Sequence, residues 1–171
     1  MNHQKIAIAV MTVLSLSSFQ SSKNTELCPY GAAPRQTGVR MVDALRASSA
    51  EAYLQVFPAL NELQAAMEQN KGLYGAYFEA ATQELAVQYV TEIVPAAHEN
   101  FNRLLRQGAA RGIVWSEVEF IRWEINTREQ TRWDEIPFVL VVQFREREFR
   151  IAVRGLVLQS QLRLSQHLVL L

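Results

Sequence analysis

Apolar positions in this chain change their period part-way along. From Val39 to Leu105 they recur every three or four residues, the spacing of one helix face; from Phe120 onward they alternate with polar ones, the spacing of strands. Thr37 is placed to cap a short helix over Gly38–Arg46, with Val39, Val42 and Leu45 along one side. Ser48-Ser49-Ala50-Glu51 has capping-box spacing and opens a second helix running to about Gln69. Pro58 should kink or restart that helix, because proline lacks the N–H and clashes with the carbonyl four residues back. A third, long helix is predicted over about Tyr74–Gln107, bent near Thr91 by Pro95 and closed by Gly108.

The second half reads as a sheet. Strands are predicted over Glu117–Thr127, Ile136–Phe144, Phe149–Leu158 and Gln161–Leu171. Alternation sends Ile121, Trp123 and Ile125 one way from the first strand and Phe120, Arg122 and Glu124 the other. In the second, Phe138, Leu140, Val142 and Phe144 share a face with Val139 and Val141 behind them, so both sides should be covered. Arg145-Glu146-Arg147-Glu148 is the hairpin tip, Gly155 marks a bulge or bend, and Ser165-Gln166 breaks the last alternation. Helices followed by strands give an α+β class: N-terminal helices, one long and kinked, on a curved antiparallel sheet of three to four strands.

Composition adds limits rather than chemistry. The 171 residues suit one domain plus a leader, and 49% hydrophobic with 20% charged residues is a globular balance. Seventeen basic residues meet seventeen acidic ones, mostly as interleaved Arg and Glu, so no global field draws the protein to nucleic acid. Lys5, the apolar run Ile6–Leu16 and serines up to Ser22 have the layout of an export signal, and the run is too short for a membrane span. Residues 1–22 are therefore expected to be a signal peptide, 23–36 a linker and 37–171 the domain. The mature chain is expected outside the cytoplasm, periplasmic or extracellular, without a transmembrane span. Cys28 is the single cysteine, which rules out an internal disulfide. Glu26 and Leu27 just before it, well past the apolar run, argue against lipid attachment there.

Ala47-Ser48-Ser49-Ala50-Glu51-Ala52-Tyr53-Leu54-Gln55-Val56-Phe57-Pro58, and Gly112-Ile113-Val114-Trp115 leading into the first strand, carry a resemblance to exported bacterial proteins of the cystatin-like, nuclear transport factor 2-like superfamily. The large helical share and the missing Gly-Trp ending depart from that pattern. The resemblance implies a cone-shaped α+β domain, and its members include isomerases, dehydratases and binding modules, so fold alone does not choose among them.

No catalytic signature stands out. His98-Glu99 starts a zinc-protease motif that fails at Asn102, and no nucleophile elbow or phosphate loop is present. A metal site would need His98 and His167 together, and none is expected; no cofactor is expected either. Within a cone, Tyr77, Tyr89, His98, Glu124 and Asp134 are the candidate polar groups, and Trp115, Trp123 and Trp133 cluster near Arg122. Trp123, Arg122, Tyr77 and Tyr89 are accordingly the candidate binding residues, and no residue is assigned a catalytic role. The expected function is non-catalytic: binding of a small apolar molecule or peptide, or self-association through the sheet as a homodimer. The alternative is a small isomerase- or lyase-like enzyme with an acid/base pocket.

Overall fold

The strand over Ile136–Phe144 carries apolar side chains on both faces, and the rest of the fold covers both. A computed structural model describes residues 33–125, 136–158 and 161–171. The expected leader, Cys28, Trp133 and Asp134 lie outside the described residues. Four strands, β1 (Glu119–Ile125), β2 (Ile136–Phe144), β3 (Arg147–Leu158) and β4 (Gln161–Leu170), form an antiparallel sheet in the order β1-β2-β3-β4. β2 is therefore internal, with Phe138, Leu140, Val142 and Phe144 facing the main core and Val139 and Val141 also buried behind. The α+β class with helices on a three- to four-stranded antiparallel sheet is what the period change implies.

The first helix is longer than predicted. α1 spans Ala33–Ala47, so Thr37 is an interior residue rather than a cap, and its hydroxyl donates to Leu162 O at 3.1 Å instead. Gly38 lets α1 press on the sheet: a Cβ there would lie 2.5 Å from the Phe120 ring and 2.7 Å from Trp123 Nε1. The helix closes without glycine. Ser48 takes the left-handed conformation (φ 49°), and Ser48 N and Ser49 N donate to Leu45 O and Ala44 O, the paired bonds of a Schellman motif.

Ser49, one residue past the predicted cap, starts α2 (Ala50–Leu54), its Oγ accepting from Ala52 N. The predicted helix to Gln69 breaks at Pro58 and restarts as α3 (Leu60–Gln69), where Glu62 reaches back to accept from Ala59 N at 2.9 Å. The long third helix is segmented as well: α4 (Lys71–Tyr74), a 3₁₀ turn at Gly75–Tyr77, α5 (Phe78–Gln88), a π turn at Tyr89–Ile93 and α6 (Val94–Ala110). The π turn sits where Pro95 forces a bend. Val94 N bonds Tyr89 O, five residues back, and the ladder resumes beyond the proline.

Gly108 is not the end of that helix. The cap glycine is Gly112 (φ 78°), with Ile113 N and Gly112 N donating to Gly108 O and Ala109 O. Gly108 is needed for contact: a Cβ on it would lie 2.0 Å from Trp115 Cζ2.

Two side-chain clusters result. The main one holds Met41, Leu45, Tyr53, Phe101, Leu104, Trp115 and the inner faces of β2, β3 and β4. A smaller one packs Leu63, Met67, Ala81 and Leu85 on Leu156 and Leu158, which alternate to the other face of β3 from Ile151 and Val153. Tyr89 and Ile93, on the π turn, pack against both. The helical segments thus wrap one end of the sheet rather than lying on a single side.

The ladder has two register irregularities among the described residues, and one of them corrects the simple alternation. In β1 the register shifts between Phe120 and Arg122, so Phe120 pairs with Val142 and turns inward toward Trp123 instead of outward. In β4 the pairing with β3 slips by two residues between Leu164 and Leu168, which preserves the alternation, so Leu162, Leu164, Leu168 and Leu170 share the core face.

Candidate functional site

Trp123 and Arg122 are neighbours on β1 and point to opposite faces. Trp123 packs inward, its ring 6.5 Å from Phe120 and 5.6 Å from Phe138. Arg122 lies outward, bonding Glu148 with both Nη atoms at 2.8 and 3.1 Å and Glu124 at 2.8 Å, while Arg150 binds the other oxygen of Glu124. Val141 sits in register between Arg122 and Arg150 and is fully buried, so the arginine stems roof the outer face of β2. Hydrogen bonds from Arg122 hold the Glu148 carboxyl below the ordinary carboxylate range, and the two glutamates raise Arg122 in turn. Exposed ion pairs of this kind contribute little each, and a lattice of them describes a solvated face.

The candidate tyrosines lie elsewhere. Tyr77 is 76% exposed in the 3₁₀ turn. Tyr89 is half-buried on the π turn and donates to Pro58 O at 2.9 Å; burial first, and the Glu62 charge second, push its hydroxyl up. The structure therefore does not bring Trp123, Arg122, Tyr77 and Tyr89 together at one site. His98 is on α6 with a buried Nε2, and His167 is on β4. Among the described residues, no group of three or more His, Cys, Asp or Glu could hold a metal ion, and no helix is long and apolar enough to cross a membrane.

The space between helices and sheet is occupied by side chains. Met41, Leu45, Tyr53, Phe101, Leu104 and Leu140 are fully buried there, with the Tyr53 and Phe101 rings stacked 5.0 Å apart. Folded interiors pack at close to crystal-like density, and these side chains cover the inner face of the sheet at that point.

A cleft of about 240 Å3 opens instead at the rim, where α1 crosses the start of β4. Gln36, Thr37 and Arg40 come from α1, Val56 from the link between α2 and α3, and Gln161, Leu162 and Arg163 from β4. Positions 36 and 40 are one helical turn apart, so the helix presents both to the same side. The link is pinned to the strand by Leu164 N donating to Val56 O at 2.8 Å. Val56 and Leu162 supply a buried apolar floor.

The two arginines of this cleft differ. Arg163 is committed: Nε and Nη2 donate to Glu62 Oε1 at 3.0 and 2.5 Å, and Nη1 donates to Gln55 O at 3.1 Å. Glu62 uses its other oxygen to accept from Ala59 N at 2.9 Å. Arg40 is exposed and makes no ion pair with any described residue. The arrangement can orient a small polar molecule; it offers no acid–base pair.

Nothing in the sequence pointed to this cleft. Arg40 reads as a solvated helix position and Arg163 as an outward strand position. Their meeting depends on β4 returning under α1. The one signal was Arg163 itself, the single Asp, Glu, Lys or Arg in the last predicted strand, Gln161–Leu171.

Fold and cleft together define a class: an α+β domain with segmented helices on an open antiparallel meander and a polar rim cleft. Searches of family models, curated proteins and solved structures each returned no match.

Proposed function

We propose that this is a non-catalytic binding domain that holds a small molecule in the rim cleft between α1 and β4. The observation that carries this is a cleft that keeps polar side chains around an apolar floor. The volume is below the range of pockets for drug-sized ligands, so the ligand is small. The resemblance to the nuclear transport factor 2-like superfamily admits binding domains and enzymes alike. The enzyme alternative has less support here, because no Asp, Glu or His is among the residues that line the cleft. Self-association through the sheet has less support as well, since its outer face over β1–β3 is roofed by Arg122, Glu124, Glu148 and Arg150.

The test is an amide chemical-shift titration of the isotope-labelled protein with a panel of small charged and neutral molecules. Saturable shifts clustered on residues 36–40, 56 and 161–163 are expected. Shifts that cluster elsewhere, or none that saturate, overturn the assignment.

A further inference from the structure

We propose that the ligand of this cleft is a small organic monocarboxylate whose carboxylate pairs with Arg40; this rests on the cleft being the binding site. The charge count selects the class. Two guanidiniums line the cleft, but the charge of Arg163 is balanced by Glu62 through two hydrogen bonds to one oxygen. Arg40 makes no ion pair with any described residue, so one negative charge would balance it and two would leave an excess. A phosphate monoester carries about −1.5 to −2 at neutral pH, a carboxylate −1.

Shape agrees with charge. A guanidinium fork matches a carboxylate with two parallel hydrogen bonds. The Gln36 and Gln161 amides add neutral donors and acceptors, while Val56 and Leu162 are apolar and take the hydrocarbon part. Arg163 would act as a positioning residue, tying β4 to α3 and the link so that Leu162 and Gln161 stay opposite α1. A ligand of this size held by one exposed charge binds with a Kd on the order of 1 mM. Because Arg40 is exposed, affinity should fall as added salt shortens the screening length from about 10 Å at 0.1 M.

The experiment titrates the full labelled chain with sodium butyrate, with the neutral isostere butyramide, and with sodium phosphate, at constant ionic strength. Butyrate should give saturable shifts at residues 36–40 and 161–163, with butyramide and phosphate weaker. Arg40→Gln should weaken butyrate about tenfold, the scale of one charge-assisted bond, and Arg40→Lys should fall between. Both variants alter an exposed side chain, and an unchanged spectrum away from the cleft verifies their fold. Equal binding of butyrate and butyramide, with no effect of Arg40→Gln, overturns the carboxylate while leaving the cleft a binding site. Phosphate binding tighter than butyrate overturns the monocarboxylate class. No saturable shift from any probe overturns both this inference and the function it rests on.

Discussion

Gly108 lies beneath the indole of Trp115, close enough that a Cβ would be 2.0 Å from Cζ2 and 2.5 Å from Cε2. The indole is fixed there because Nε1 donates to Leu105 O at 2.9 Å. Replacing a mid-helix glycine by alanine ordinarily gains about 0.5–1 kcal/mol. Here the sign should reverse: Gly108→Ala should destabilise by about 3 kcal/mol, the upper end of overpacking costs. Gly72→Ala, with nothing within 4 Å of its added carbon, serves as the control and should be neutral or stabilising. Urea unfolding of both variants decides it; equal effects would remove the contact as the reason for Gly108.

Tyr53 is fully buried and its hydroxyl donates to Ser165 O at 2.9 Å, inside the irregular stretch of β4. Burial pushes that hydroxyl's pKa well up. Tyr53→Phe keeps the ring stack on Phe101 and removes the donor. We expect a loss of about 1–2 kcal/mol from the orphaned carbonyl. Hydrogen exchange should show faster opening of residues 164–168 than of β2, and uniform protection would refute the local link.

Glu62 and Arg163 form a largely buried pair, 11% and 17% exposed, joining α3 to β4. Removing one partner of a buried pair strands the other charge. Glu62→Gln should cost about 3 kcal/mol, at the low end for such pairs because some solvent reaches this one. A Glu62→Leu, Arg163→Met double variant should recover much of the loss. If the single and double variants are equally unstable, the cost lies elsewhere, for instance in the Ala59 N–H cap.

Glu148 supplies a pH test on the exposed face. Its folded pKa is depressed, chiefly by hydrogen bonds from Arg122. A depressed carboxyl contributes stability that is fully present above its unfolded pKa, about 4.3, and lost as pH falls through the folded value. Denaturant midpoints of Glu148→Gln should match the parent's below that window and fall short of them at neutral pH. High salt should shrink the gap, as for any exposed pair. A gap that persists undiminished at acid pH would assign the effect to packing over Val141.

Much of the architecture was legible because burial imposes a period. The spacing of Val42, Leu45, Leu85, Phe101 and Leu104 announces helices, and the alternation from Phe138 to Phe144 announces a strand covered on both sides. The breaks were legible as breaks: Pro58, Pro95 and Ser165-Gln166 each mark a real irregularity. What each break becomes was not. Pro58 ends a helix outright, while Pro95 is accommodated by a π turn, because Tyr89 and Ile93 are held between two clusters. Gly108 and Gly112 are equally good caps by composition, and only Trp115 decides between them.

The candidate site was less legible for the same physical reason. Trp123 and Arg122 were grouped by proximity along the chain, and a strand separates neighbours onto opposite faces. Arg40 and Arg163 are 123 positions apart in the sequence, and hydrogen bonding from Thr37 to Leu162 and from Leu164 to Val56 brings their elements together. By itself the sequence determined the class, the order of helices and strands, the internal position of β2 and the points where regular structure fails, because those follow from local sterics and from which face must leave water. Only the tertiary structure decided which side chains meet in the core, that Arg163 pairs with Glu62 while Arg40 pairs with no described acidic residue, and where the rim cleft lies. Those depend on which distant elements come into contact, and no period along the chain encodes that.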